Sequence, residues 1–526
     1  MHEPPVSDYD KFAYPSGVHP QTHPDRLAVI ATLMGLPAAR IEQARVLELG
    51  CGDGNNLITM ACTLPNSRFY GVDLAIEPIR RGQEAIAALG LKNVVLRQMN
   101  ILEAPADLGT FDYIIAHGLY SWVPGAVREK ILAICREHLA EDGVAYISYN
   151  AYPGCHLRDL TRHMMLFHVR QFSEPREKIS QARALLKFLA EANPHSGLWH
   201  EVLGHELERI QKYLDAGFFH DDLSPLYQPF YFHEFVEAAA RHQLEFLSEA
   251  DVKDMQPSGL TEEGVRVLHT LEQRNRVAHE QYTDFVVGRA FRQTLLCRQG
   301  RPHNRELKSE SVANLFVAAD ATQVNSSADP AAPGMEDFQR GKTVIATSQP
   351  VLKSALAFLG RVWPRRVYFT ELLDQARERA RPNETPSQVT LESDQRDLAD
   401  FLFRCYAIGF VDLHSYPSTF VTEISERPIA TPLARWQIGH GTTISSLRHL
   451  PLKIEDALGR ELLRLLDGTR DRAALLEELQ KTVESGKTPI YCDGKAVTDP
   501  AKAVQLLAAQ LEPSLANLVT LGLLVG

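Results

Sequence analysis

Two acids and three glycines crowd into the stretch Val46-Leu47-Glu48-Leu49-Gly50-Cys51-Gly52-Asp53-Gly54-Asn55. An apolar run leads into Glu48, and the polar turn after Gly54 opens a helical pattern. Glycines at a strand-to-helix turn let the backbone pass close to a ligand, because no Cβ stands in the way. The spacing is G-x-G-x-G, not the G-x-G-x-x-G of dinucleotide-binding turns, whose third glycine serves helix packing beside a pyrophosphate. With Glu48 ahead of it and Asp53 inside it, the loop suits a ligand that has a cationic end and no phosphate. S-adenosylmethionine is such a ligand, and Glu48, Gly50, Cys51, Gly52, Asp53, Gly54 and Asn55 are the expected contacts.

These residues need a scaffold, and the following hundred positions supply one. Ser67 to Leu74 reads as a second strand ending in an acid, Asp73, placed with Leu74 to meet the ribose hydroxyls of an adenosine. Val94 to Gln98 reads as a third strand, followed by Asn100 and Ile101, with the Asn100 side chain expected on the adenine edge. Phe111 to His117 reads as a fourth strand and Gly143 to Tyr149 as a fifth, with helical spacing in Asn56 to Leu64 and Pro78 to Leu89. Strands alternating with helices make a parallel, doubly wound α/β sheet of Rossmann-like type, whose ligands sit beyond the carboxyl ends of the strands. Glu48, Asp73, Asn100, His117 and Tyr149 all fall there. A Rossmann-like domain for another nucleotide is the alternative.

Such a sheet normally closes with a helix and two more strands. Phe230 to Arg241 has helical spacing, and Leu244 to Leu247 and Phe291 to Cys297 read as strands. The expected catalytic unit is therefore 1–300, with 156–225 as a helical insertion over the ligand edge and 218–300 as a region closing the sheet. An independent helical domain over 156–300 is the other reading. Residues 301–345, with Ala328-Asp329-Pro330-Ala331-Ala332-Pro333-Gly334, read as a linker. In 346–425, helices at Gln349 to Gly360, Phe369 to Arg379 and Asp394 to Ala407 precede strands at Phe410 to His414 and Thr419 to Thr422, a winged-helix pattern. Residues 426–526 read as mostly helical, with Ile454 to Leu466, Arg472 to Val483 and Ala503 to Leu521.

Composition narrows the function classes. A chain of 526 residues with 44% apolar content has ample core for several domains. No apolar run approaches the ~20 residues that span a bilayer, so membrane insertion is not expected. The N-terminal Met1 to Asp10 lacks a charged-then-apolar signal pattern. Seven scattered cysteines without a C-x-x-C pair point to reduced thiols, a cytoplasmic location and no zinc site. The net charge of −11 opposes the electrostatics of nucleic-acid binding and favours protein contacts for the winged-helix region.

The chain resembles bacterial class I protein-lysine methyltransferases that carry a methyltransferase regulatory region and a C-terminal winged-helix region. The resemblance covers nearly the whole length. It rests on Tyr14-Pro15, on Thr22-His23-Pro24-Asp25-Arg26-Leu27, on the glycine loop, on His117-Gly118-Leu119-Tyr120-Ser121-Trp122-Val123-Pro124, and on Ser148-Tyr149-Asn150-Ala151-Tyr152-Pro153-Gly154. His220-Asp221-Asp222-Leu223, Phe291 to Leu296, Arg427-Pro428-Ile429-Ala430, Ala434-Arg435-Trp436-Gln437 and Leu466-Asp467-Gly468-Thr469-Arg470 are similar too. Asp53-Gly54-Asn55 departs from the Ser-Gly-Gly common in relatives, and Cys155 stands where relatives commonly carry Trp. The resemblance implies a seven-stranded sheet, S-adenosylmethionine as cofactor and a protein-lysine acceptor. Characterised members act on bacterial outer-membrane proteins.

Methyl transfer from a sulfonium is an in-line displacement by a neutral amine, so a lysine must lose its proton and be held in line, away from water. Tyr120, Trp122, Tyr149 and Tyr152 follow strands four and five, where aromatic walls can hold the cation, and Asn150 offers a carbonyl acceptor. His117 either takes a proton or packs against the methionine portion of the cofactor. Trp122 is equally readable as core. Tyr14, His23 and Arg26 either fold over the site or belong to a capped first helix beginning near Pro24. A small-molecule methyltransferase and a non-catalytic cofactor-binding protein stay open. No metal constellation is visible, and oligomeric state is unreadable.

Overall fold

The computed structural model describes the chain apart from residues 1–11, 13, 15–16, 193–196, 256–258, 305, 326–328, 330–331, 383–386, 419, 486–487, 489–490, 493–494 and 498–499. Its centre is a seven-stranded sheet of β1 (Arg45–Leu49), β2 (Arg68–Asp73), β3 (Val94–Gln98), β4 (Phe111–Ala116), β5 (Leu139–Asn150), β6 (Leu244–Glu249) and β7 (Phe291–Arg298). The spatial order is β3-β2-β1-β4-β5-β7-β6. β1 to β5 pair in parallel, and β7 lies antiparallel between β5 and β6. Helices cover both faces, so the strands are apolar on both alternate sets, as parallel sheets require. Val46 and Ile115 enter one core cluster, while Leu47 and Ile114 enter the other. The order reverses between β1 and β4, which opens the ligand crevice at their carboxyl ends.

β7 is anchored by charge. Arg292 is buried and donates to Glu249 (2.6 Å), Glu280 (2.9 Å) and Asp284 (2.8 Å), with its guanidinium over the Phe232 ring. Glu249 ends β6, while Glu280 and Asp284 come from the helix Arg276–Val287 that packs on helix Phe232–Arg241. One cation thus ties the last two strands to the helices between them.

Between β5 and β6 stand the helices Cys155–Val169, Pro175–Ala192, Leu198–Lys212 and Asp215–Asp222. They share an apolar cluster of their own that includes Met165, Leu186, Ile210 and Phe218. The chain then returns to the sheet edge, where Phe230 N donates to Asn150 O and Tyr152 N to Phe230 O.

Two sequence expectations need correction. Residues 301–345 are not simply a linker: Phe316–Ala318 is the central strand of a three-stranded sheet, flanked by Val367–Tyr368 and Asp412–His414. Glu336–Arg340 and Thr343–Thr347 form a hairpin, and Phe338 is fully buried. A three-residue strand between turn-forming residues carries no periodicity to read. The expected strand Thr419 to Thr422 is absent at 420–422, and Thr419 lies outside the described residues. The turn before it bends elsewhere, because Ser415 donates from both N and Oγ to Asp25 in the first helix, Pro24–Leu33. That helix is shared. Leu27, Ile30 and Ala31 pack under the sheet, while Val29 and Leu33 enter the core of the module with helices Pro350–Val362, Phe369–Ala380 and Gln388–Ala407.

The last module holds helices Pro432–His440, Ala457–Leu465, Arg472–Glu484 and Pro500–Thr520 with the hairpin Thr443–Ser445/Pro451–Lys453. Ile429 N donates to Gly526 O, and Ala430 bridges Leu524, closing it on itself. Among the described residues, no helix is long and apolar enough to cross a membrane.

Candidate active site

The glycine loop leaves β1 with Gly50, Gly52 and Gly54 all at positive φ, between 56° and 72°. A Cβ at Gly54 would fall 2.5 Å from Leu96, whereas one at Gly52 would meet nothing within 4 Å. Gly54 is thus required by packing, and Gly52 presents bare backbone to the crevice. Gly50 N and Cys51 N both donate to Val72 O, tying the loop to β2. Asp73 draws it in further, accepting from Gly52 N at 2.8 Å and from Ala75 N at 2.9 Å. A carboxylate at the end of the second strand is where a ribose diol would be met.

Glu48 is buried behind the loop. Its Oε1 accepts from Asn56 Nδ2 at 2.9 Å, and Oε2 has no partner. Burial pushes this carboxyl up to about 8, and Asp53 and Asp73 add to the rise against the opposing Asn56 bond. A buried acid with an orphaned oxygen is complementary to a cationic ligand end. A diol acceptor, an open glycine and an acid without a facing cation together fit S-adenosylmethionine.

His117 ends β4. The Tyr146 hydroxyl donates to Gln293 Oε1, so it accepts from His117 Nδ1, 2.9 Å away. This fixes the tautomer that leaves Nε2 unprotonated. Burial and the neighbouring His19 lower His117 to about 3, too weak to hold a proton at neutral pH. His19 lies over it with ring centres 4.0 Å apart and is itself lowered to about 4 by burial. Of the two readings of His117, the packed neutral contact fits.

Three family models match this chain: a methyltransferase domain over 46–143, a predicted methyltransferase regulatory domain over 214–298, and the PKMT C-terminal winged helix domain over 426–523. The uncharacterized protein RP028 of Rickettsia prowazekii is 37% identical over 240 residues, 45% of this chain and 96% of that protein. RP789 of the same organism is 29% identical over 528 residues, covering 98% of this chain and 93% of that protein. The chain belongs to this family of S-adenosylmethionine-dependent methyltransferases. The structure of PKMT2 from Rickettsia typhi, solved also in complex with AdoHcy, is similar over 98% of this chain and 100% of that one, with 27% identity and a TM-score of 0.86.

Within this methyltransferase the expected cofactor set divides. Glu48, Gly50, Cys51, Gly52, Asp53, Gly54, Asp73 and His117 gather at the carboxyl ends of β1, β2 and β4. Leu74 is exposed beside Asp73, and Ile101 is buried after β3. Asn55 faces elsewhere: its Oδ1 accepts from Gln437 Nε2 at 2.8 Å, and Ser445 lies beside it. Asn100 bonds within its own turn, with Oδ1 accepting from Leu102 N and Nδ2 donating to Glu103.

The proposed amine wall needs larger correction. Tyr120 is buried among Tyr149, Phe230 and Phe235, and Tyr149 stacks on Phe235 with its hydroxyl bonded by Thr294. Both belong to the core under helix Phe232–Arg241, since β5 continues to Asn150 and is covered on both faces. Asn150 is buried too, its N bonded to Ser121 Oγ. Trp122 packs on Tyr227, with Arg158 near its face. Tyr152 remains half-buried beyond the strand end, stacked on His156 at 4.0 Å, and donates to Asp159 Oδ2 at 2.8 Å. Asp159 Oδ1 is buried without a partner.

Of the N-terminal candidates, Tyr14 donates to Asp221, Arg26 pairs with Asp251, and His23 caps the first helix. Sequence reasoning missed His19 and Asp159. The first stands in Val18-His19-Pro20, one turn before the His23-Pro24 that was noticed. The second lies one helical turn past Cys155, on the face that Tyr152 meets.

Proposed function

We propose that this protein transfers the methyl group of S-adenosylmethionine to the ε-amine of lysines in a protein substrate, in the cytoplasm. The observation that carries the reading is the Tyr152–Asp159 pair past the end of β5, one carboxylate oxygen fixed by the phenol and the other buried without a partner. Such an oxygen beside aromatic faces suits an ammonium, not a neutral or anionic acceptor. The likeness to PKMT2 and to the PKMT winged-helix model supports a protein acceptor. The six described cysteines, all free, accord with a reducing compartment. Outer-membrane proteins are the first acceptors to assay.

The bound cofactor supplies a methyl group on a sulfonium, open to in-line attack. Asp73 and the backbone at Gly52 hold it from the ribose side, and Glu48 balances its cationic end. Asp159 takes up the ammonium, receives one proton and frees the lone pair. The Tyr152 hydroxyl keeps that carboxylate oriented, and the Tyr152, His156 and Tyr231 rings exclude water from the approach.

The test is transfer of labelled methyl groups from S-adenosylmethionine into a proteome extract, with mass spectrometry of the labelled residue. Methylated lysine in protein, reduced by Asp159→Asn, is expected. Label confined to small metabolites or to other residue types would overturn the reading.

A further inference from the structure

A second cavity, of about 260 Å³, lies where the first helix, the three-stranded module and the C-terminal module meet. Its wall carries four arginines in a protein whose net charge is −11. Of four guanidinium groups on it, Arg26 is paired with Asp251 at 3.0 Å, and Arg340 holds Asp412 through two bonds of 3.2 and 2.7 Å. Arg366 and Arg448 then face only one further lining carboxylate, Asp25, which is already bonded by His414 and Ser415. On the wall itself four arginines stand against two carboxylates, Asp25 and Asp412, with Asp251 and Asp320 acting from behind.

Donors are left over. Arg366 has a side chain only 7% exposed, and its Nη1 has no hydrogen-bond partner, with the nearest Asp25 oxygen 3.8 Å away. Trp363 Nε1 is also buried and unpartnered, while its ring lies between Arg448 at 4.3 Å and Arg340 at 5.4 Å. Leaving a buried charged donor unmade is costly, by roughly 1–3 kcal/mol or more, so unpaired N–H groups in an arginine-lined cavity mark an acceptor's place.

We propose that this cavity binds a small oxyanion, a carboxylate or phosphate, through Arg366 Nη1 and Trp363 Nε1. A guanidinium and an indole N–H give two donors to two oxygens of one group. The volume admits a small metabolite and no folded segment of a partner. Glu48, the glycine loop, Asp73 and His117 do not line the cavity.

Calorimetric titration of the full-length protein with sodium phosphate and, separately, sodium acetate, at ionic strength held constant with sodium chloride, tests this. Saturable binding of at least one of the two anions, one per chain, is expected, and which one saturates tells phosphate from carboxylate. Trp363→Phe keeps the ring between the two arginines and removes the N–H. It should weaken binding about fivefold or more with little change in melting temperature. Arg366→Lys should weaken it more, and if that variant fails to fold, Trp363→Phe decides alone. No saturable heat with either anion, or an affinity unchanged by Trp363→Phe, would overturn the proposal.

Discussion

His449 Nε2 lies 2.8 Å from Asn56 Oδ1, so the C-terminal module hydrogen-bonds the helix that opens from the glycine loop. Asn56 passes the contact on, donating to Glu48 and to Thr22 while accepting from His19 N. A buried chain therefore runs from the winged-helix end to the acid of the cofactor loop. Replacing His449 with Ala should destabilise the protein by about 1–3 kcal/mol, because Asn56 loses a buried partner. It should also weaken S-adenosylmethionine binding, though no C-terminal residue need touch the cofactor. Denaturant unfolding and calorimetry measure the two effects, and unchanged cofactor affinity would show that the contact only holds the modules together.

Asp73→Ala removes the anchor of Gly52 N and, in the proposed placement of the cofactor, the acceptor for two ribose hydroxyls. A loss of about 2–4 kcal/mol is expected, roughly 30- to 1,000-fold in cofactor affinity. An unaltered Kd would remove Asp73 from the site.

Glu48 gives a pH signature. Its carboxyl is raised to about 8 in the folded protein, from 4.5. The folded state therefore binds the extra proton, and the stability it contributes is complete below 4.5 and lost as pH rises through 8. His19 and His23, lowered to about 4 from 6.5, act oppositely, contributing fully above 6.5 and failing as pH falls towards 4. Between 6.5 and 8 only the Glu48 effect operates among these three, with a slope of at most ~1.4 kcal/mol per pH unit. Glu48→Gln should flatten it. Binding of the cationic cofactor near pH 7 should release a proton from wild-type Glu48, seen as a buffer-dependent binding enthalpy that the Gln variant lacks.

Asp159→Asn should lower kcat/KM for the protein acceptor by about 100-fold or more while cofactor affinity stays level, since the group serves the amine alone. Tyr152→Phe, which only releases the carboxylate from its orienting bond, should cost less. Equal activity of Asp159→Asn would exclude it from proton removal.

Arg292→Ala would leave Glu249, Glu280 and Asp284 facing one another in the core, with Arg289 still bonded to Asp284 and Arg276 still near Glu280. Breaking a buried ion cluster from one side typically costs 3–5 kcal/mol. The unfolding midpoint should fall accordingly, and a loss under 1 kcal/mol would mean the carboxylates neutralise themselves.

The cofactor end was readable because it is local: an acid, three glycines and a second acid after the next strand are set by short-range geometry. The acceptor end was read less well. Tyr149 precedes a polar residue and looks like a strand terminus, yet β7 pairs along it to Asn150 and Phe235 covers its ring, which together make it core. Asn55 looks like a loop residue reaching for ligand, and its partner Gln437 is remote in sequence. Asp159 has no motif, and its meaning comes from the turn that brings Tyr152 back onto it.

The first helix, Pro24–Leu33, has a consequence for how the chain is made. One side is sealed by the sheet, and the other, with Val29 and Leu33, by residues 312–413. Its second flank is covered only after several hundred further residues have been synthesised, so until then the growing chain carries an apolar helix face without its native partner and open to wrong contacts.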